Sequence, residues 1–153
     1  MRNANQAKQR VRALRCLLWT AGVCLSLGST AGELRVNVTG LVAPYGALGC
    51  SLFSAPAGFP MDNTLAKTLW VPASGASVSC TFVDVPAGKF ALAVAHDTNG
   101  NRKLDTNFLG IPTEQWGVSN NVRPSLRAPR FDEAVFSVAA DAAQTTIDIK
   151  VAQ

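Results

Sequence analysis

From about residue 33 the chain alternates apolar and polar positions in short runs. Leu34, Val36 and Val38 alternate with Arg35, Asn37 and Thr39 up to Gly40-Leu41. A period of two puts one set of side chains on a buried sheet face and the other in water, which predicts a strand over 33–42. The same pattern predicts strands over 47–54 (closed by Pro56 and Gly58-Phe59-Pro60), 67–71 (ending at Pro72) and 76–85 (ending at Pro86). Pro86-Ala87-Gly88 is a tight-turn signal. Residues 89–96 then set Phe90, Leu92 and Val94 against Ala91, Ala93 and Ala95, and runs at 131–138 and 145–151 complete the set. Residues 61–66 read as a short helical turn, and no stretch holds a helical period for three turns.

Seven short strands separated by Gly/Pro turns predict an all-β fold, a single antiparallel β-sandwich of about seven strands. Prealbumin/transthyretin-like and immunoglobulin-like topologies both stay open. The segment 97–130 does not fit the pattern. It exceeds the ~12–15 residues of an ordinary structureless loop, yet Phe108, Leu109, Ile111 and Trp116 within it need apolar neighbours. It is therefore predicted to be one long ordered loop, with the functional end of the molecule at 96–121.

Charge changes the picture at the N-terminus. The formal net charge is +4, but Arg2, Lys8, Arg10, Arg12 and Arg15 precede any acidic residue. A short apolar run, Leu17–Leu27, and small residues at Ser29-Thr30-Ala31 follow. This is the order of a cleavable secretory signal over residues 1–31, with cleavage after Ala31 or Gly32. Eleven residues fall short of the ~20 that span a bilayer as a helix. Residues 32–153 are then the folded domain, with 9 basic and 10 acidic residues, about −1. The predicted address is periplasmic or secreted, with no transmembrane segment after signal removal, and the near-neutral domain argues against a nucleic-acid partner.

Export also changes how the cysteines read. Cys16 and Cys24 fall in the signal, which leaves Cys50 and Cys80. A pair in an oxidising compartment, each in an alternating run with its side chain toward the core, predicts a disulfide. The bridge would close a loop of about 31 residues and contribute ~3–4 kcal/mol on the chain-entropy argument. Two unpaired buried thiols are the alternative.

The candidate chemistry lies in the long loop. Asp97, Asn99, Asn101 and Asp105 carry side-chain oxygens at positions 1, 3, 5 and 9 of a twelve-residue calcium loop, with the Lys103 carbonyl at position 7. Ca²⁺ takes six to eight oxygens at about 2.3–2.6 Å, and Glu114 is the nearest further carboxylate. Two positions depart from that pattern: Arg102 stands where Gly makes the sharp turn, and Phe108 where a bidentate Glu closes the site. The alternative is a metal-free loop in which the Asp and Asn side chains cap backbone N–H groups in successive turns. Gly110, Pro112 and Gly117 shape the loop in either reading. Trp116 reads as a packed cover or a ligand contact, and His96, Asn120 and Asn121 are further ligand-contact candidates.

His96, the sole histidine, ends a strand. A small periplasmic hydrolase using His96 with Glu114, and Ser119 as nucleophile, is the enzymatic alternative. Adjacent strand residues face opposite ways, so His96 and Asp97 would not share a site, and a structural hydrogen bond is the simpler role for His96. Arg123, Arg127 and Arg130 alternate with prolines and read as a solvated connector. The leading reading is a non-enzymatic binding or accessory module for a protein, small-molecule or glycan ligand.

The run His96-Asp97-Thr98-Asn99-Gly100-Asn101, then Leu104-Asp105-Thr106-Asn107, Gly110-Ile111-Pro112-Thr113-Glu114, Gly117 and Ser119-Asn120-Asn121 closely resembles a bacterial family catalogued as domain of unknown function 2141. The resemblance extends to Phe82-x-Asp84-Val85-Pro86-Ala87-Gly88-Lys89-Phe90-Ala91 and Phe131-x-Glu133-Ala134-x-Phe136. It implies an exported all-β protein and supplies no activity. Many members carry Gly where this chain has Arg102, and an aromatic where it has Val118. The Phe82–Phe90 stretch is also similar to the strand-turn-strand of transthyretin-like and carboxypeptidase-regulatory-like domains, which favours the prealbumin-like arrangement.

Overall fold

The structure is a computed structural model, and residues 31–153 are described. The predicted signal segment, apart from Ala31, lies outside them. In chain order the strands are β1 (Gly32–Thr39), β2 (Ala47–Phe53), β3 (Lys67–Pro72), β4 (Ser77–Val85), β5 (Gly88–Asp97), β6 (Trp116–Val118), β7 (Phe136–Val138) and β8 (Gln144–Lys150). The first five and the last match the runs of alternation to within a few residues at each end. The short turn also forms, at Asn63–Leu65, where Asp62 Oδ1 accepts from the Thr64 N–H at 3.1 Å.

Two sheets form, one of three strands in the order β4-β1-β8 and one in the order β3-β2-β5-β6 with β7 also on β5. Three expectations need correction. Among the described residues there are eight strands, because Trp116–Val118 pairs with β5 inside the segment read as loop. Its three residues are too few to show alternation. The run 131–138 splits into α1 (Phe131–Ala134) and β7. Glu133 reaches back to accept the Arg130 N–H at 2.9 Å, which caps and winds a helical turn before extended chain resumes. The fold is also not wholly antiparallel, since β1 and β8 run parallel in the register Val36↔Ile147 and Val38↔Ile149.

The core lies between the sheets. Leu34, Val36 and Val38 of β1, Phe82 of β4 and Ile149 of β8 meet Leu48 and Leu52 of β2 and Leu92 and Val94 of β5, all at most 5% exposed. In β1, β4 and β8 the alternation read from the sequence is the alternation of burial, whereas β2 and β5 are buried on both faces. Cys50 and Cys80 face each other here and form a disulfide from β2 to β4, with Cα atoms 6.7 Å apart. At the opposite margin Trp116 and Ala152 exchange backbone hydrogen bonds of 3.0 and 3.1 Å, so the two sheets touch edge to edge.

A second, smaller core covers one end of the outer face of the five-stranded sheet. Phe53, Ala91, Ala93, Val118 and Ala134 are buried beneath Phe59 and Phe131. The Phe53–Phe59 and Phe59–Phe131 rings meet edge to face at 5.3 and 5.9 Å, the arrangement aromatic quadrupoles prefer. No helix among the described residues is long and apolar enough to cross a membrane.

Candidate functional site

The other end of that outer face is left open. Residues opposite one another on paired strands share a face, and the registers put Trp70 beside Gly49, Gly49 beside Ala95 and Ala95 beside Trp116. One row across four strands thus reads Trp-Gly-Ala-Trp. The neighbouring row is Thr68, Ser51, Ala93 and Val118. Gly, Ala and Ser make a low floor between two indoles. Trp70 leans over that floor: a Cβ on Gly49 would stand 2.7 Å from its Cη2 and Cζ3. The Arg123 guanidinium sits 4.3 Å from the ring centre of Trp116, within cation–π range.

The long loop and the 123–129 segment turn this floor into a groove of about 770 Å³, a volume typical of small-molecule sites. Leu109 and Ile111 from the loop, Leu126 from the second segment and Met61 line it and are all exposed. The second segment is tied down by charge. Arg127 donates to both Glu133 oxygens at 2.8 and 2.6 Å. Those bonds, with the Arg130 N–H and the positive charges around it, hold the Glu133 carboxyl down at about 2. The Glu133 hydrogen bond in turn raises the Arg127 pKa.

The loop begins where β5 ends, two residues past Ala95 on the same face. There Asp97 is fully buried, and its carboxylate accepts from three backbone N–H groups: Gly100 at 2.7 Å and Asn101 at 3.3 Å on Oδ1, and Arg102 at 2.7 Å on Oδ2. Asn99 Oδ1 accepts from the Asn101 N–H at 3.0 Å, and Asn101 Oδ1 from the Lys103 N–H at 2.9 Å. Both amide nitrogens turn to Asp105, Asn99 at 2.6 Å and Asn101 at 2.9 Å. Glu114 is buried, accepting from the Thr98 N–H and hydroxyl at 2.9 and 3.0 Å and from the Asp105 N–H at 3.1 Å. The six predicted metal-site residues are therefore one hydrogen-bonded unit. Among the described residues, no three His, Cys, Asp or Glu side chains are grouped closely enough to hold a metal ion by themselves.

The loop-shaping residues have distinct places. Gly110 takes φ +75° and Pro112 bridges Thr106 across the loop's neck. Gly117 lies in β6 facing the main core, where a Cβ would stand 2.9 Å from Ile149 Cγ2 and from the Lys150 carbonyl oxygen.

His96 points into the inner face, 1% exposed, and its Nε2–H donates to the Tyr45 carbonyl at 2.8 Å. Asp97 points the opposite way. Ser119 is buried; its hydroxyl accepts from the Leu92 N–H at 3.0 Å and donates to the Ala134 carbonyl. The Asn120 amide donates to the Glu133 and Val135 carbonyls at 3.2 and 3.0 Å. Asn121 donates to the Asp148 carbonyl at 3.3 Å and accepts from the Lys150 N–H at 2.7 Å, pinning the segment to β8. Of the four ligand-contact candidates, Trp116 alone lines the groove.

Sequence reading missed Gly49, Trp70, Ala95 and the groove role of Arg123. The signal was present in the outward positions of two adjacent strands, which carry Gly49 and Ser51, and Ala93 and Ala95, where half-buried faces normally carry larger residues.

The molecule is thus an all-β, two-sheet protein with a groove on the outer face of its larger sheet. Residues 36–147 match the family described as "Uncharacterized protein conserved in bacteria (DUF2141)", and the chain belongs to that family. No curated protein and no solved structure matches it.

Proposed function

We propose that the protein is an exported, non-enzymatic binding module that takes its ligand in the groove beside the 96–121 loop, in the periplasm or outside the cell. The observation that carries this reading is the Trp70-Gly49-Ala95-Trp116 row. Large flat side chains flank a floor without side-chain bulk, and a packed sheet holds the row rigid. Sites built on strands keep their shape better than sites built on loops. A groove with apolar walls and few polar groups is the common form of a small-molecule site. Binding is favoured over hydrolysis because His96 Nε2, the Glu114 oxygens and the Ser119 hydroxyl all serve backbone groups. A catalytic set needs convergent free polar atoms.

The arrangement proposed for the sandwich is prealbumin-like. An immunoglobulin sandwich pairs its first strand with its second in a wholly antiparallel sheet. Here β1 lies between β4 and β8, parallel to the latter.

Calcium bracing of the loop is a second reading, favoured by one observation. Arg102, sixth from Asp97, takes the left-handed φ of +58° at the position where calcium loops make their sharp turn. Lys103 would contribute its carbonyl, and the Asn99 and Asn101 amides would have to turn their oxygens toward the ion.

The groove is tested with Nile red, a neutral dye that brightens in apolar sites. The protein should enhance its emission saturably, and Ala95→Phe, which fills the floor while circular dichroism stays unchanged, should abolish the effect. No enhancement, or equal enhancement by Ala95→Phe, would overturn the binding reading.

A further inference from the structure

We infer that the groove selects an amphipath with one aliphatic chain and one anionic head, in chemical type a free long-chain carboxylate. The inference rests on the groove being the binding site and goes further by naming what fits it.

The charged side chains that line the groove are Arg123 and Arg127; no Asp or Glu is among the lining residues. Glu133 neutralises Arg127 through two hydrogen bonds. Arg123 has no carboxylate partner among the described residues. Its Nη2 donates to the Trp116 and Ala152 carbonyls at 2.5 and 3.0 Å, and its ring contact fixes the guanidinium against Trp116. A guanidinium carries five N–H donors in a planar fork, so Nε and Nη1 are left to meet an anion. The cation is held in place before any ligand arrives, and a charge-assisted bond to it is the strong kind.

The rest of the wall asks for hydrocarbon. Leu109 is 68% exposed, Ile111 55% and Leu126 99%, and all three line the same groove as the two indoles. Monomeric proteins rarely leave such side chains together in water without a use for them. Three strand spacings separate Trp70 from Trp116, about 14 Å, so a chain laid across the floor would be stacked at both ends. A sugar fits less well. Its hydroxyls need several convergent polar side chains, whereas the Ser51 and Thr68 hydroxyls of the floor are bonded to each other at 2.9 Å.

The test is tryptophan quenching by dibromostearate below its micelle concentration, since Trp70 and Trp116 are themselves the walls. Quenching should saturate. Arg123→Gln should weaken it about tenfold, the loss of one charged hydrogen bond, and Arg123→Lys should recover most of it. Each two methylenes removed from a competing fatty acid should cost roughly another tenfold. The brominated alcohol of equal length should bind like the acid does to Arg123→Gln.

Equal binding of alcohol and acid, or no effect of Arg123→Gln in a folded variant, would overturn the anionic-head assignment. Nile red binding that Ala95→Phe abolishes, without dibromostearate binding, would sink the ligand class and leave the groove standing. Loss of both would remove the groove reading itself. Sedimentation with anionic phospholipid vesicles in the absence of free-acid binding would assign the groove to a membrane surface. A dimer that Ala95→Phe dissociates would assign it to a second copy of the chain. Either result would overturn the inference.

Discussion

The Trp70 indole packs against Gly49, so close that a single methyl group on Gly49 would stand 2.7 Å from the ring. The clash would be with the far end of a side chain, so the indole can move while the strand stays. Gly49→Ala is expected to leave the fold intact, with a stability loss of about 1 kcal/mol, because Trp70 is a partly exposed edge residue. The groove would change more than the fold. The variant should show an altered tryptophan emission and weaker dye binding with unchanged far-ultraviolet circular dichroism. Binding unchanged from the native protein would mean that Trp70 is not a wall of the site.

Gly117 is the contrasting case. A Cβ there would meet Ile149 Cγ2 and the Lys150 carbonyl oxygen, both at 2.9 Å, on the buried face. Backbone cannot swing aside as an indole tip can. Gly117→Ala should therefore cost roughly 1–3 kcal/mol, read as a lower denaturant midpoint at constant slope. A midpoint equal to the native one would show that β6 and β8 are not packed as closely as this.

These two glycines show where the sequence was legible and where it was not. Alternation revealed β1, β4 and β8 because one face of each is buried and the other is wet, and it revealed β2 and β5, buried on both faces, because large apolar residues mostly alternate with small ones. It also brought Cys50 and Cys80 to the core side, where they are bonded. The three residues of β6 are too few to display a period, and the wound turn at Phe131–Ala134 is set by a cap, Glu133 on the Arg130 N–H, which periodicity does not see. The groove was hidden for a different reason. Gly49, Ser51, Ala93 and Ala95 become one floor through the pairing of β2 with β5, and pairing is not written in either strand alone. The loop was the reverse case: the spacing of its Asp and Asn residues, which hydrogen-bond to one another and to the loop backbone, is visible in the sequence because their chemistry is local.

The Glu133 clasp gives a pH dependence of defined sign. Its carboxyl lies at about 2 in the folded protein, down from an ordinary 4.5, mainly through the hydrogen bond from Arg127. A depressed acid contributes stability that is fully present above the unfolded value and lost as pH falls through the folded value. The window therefore runs from about 4.5 down to about 2. Glu133→Gln should be less stable than the native protein at pH 6, and the gap should close on acidification through that window. Because the clasp also anchors the 123–129 wall, dye binding should fall over the same range. A gap between the two proteins that does not change with pH would show that the clasp is not formed in solution.

The disulfide crosses between the sheets and spans a sequence separation of 30. Cross-linking chains that distant restricts the unfolded ensemble, with a typical contribution of about 2–4 kcal/mol. Cys50→Ala with Cys80→Ala should lower stability by that amount in urea unfolding and leave the sheet spectrum in place. The remaining core, with Leu34, Val36, Val38, Leu48, Phe82 and Leu92 all essentially buried, is large enough to fold without it. An unfolded double variant would show that the bridge is a requirement for folding, not a reinforcement.

The two readings of the 97–107 loop separate in a calcium titration. If hydrogen bonds alone brace it, Asp97→Ala removes a buried carboxylate that accepts three part-buried backbone N–H bonds and should cost roughly 1–3 kcal/mol, with or without calcium. If calcium braces it, a site of the weak extracellular class, with Kd of roughly 10⁻⁴–10⁻³ M, adds stability by mass action. At several millimolar Ca²⁺ that is about 1–2 kcal/mol, or a rise in Tm of some degrees that a chelator reverses. Asp105→Ala should abolish the rise, because Asp105 is where both asparagine amides converge. Arg102→Gly should raise Tm with or without calcium, since Gly adopts the left-handed turn without strain and Arg102 already holds that turn. A Tm independent of Ca²⁺ across that range would leave the loop braced by its own hydrogen bonds.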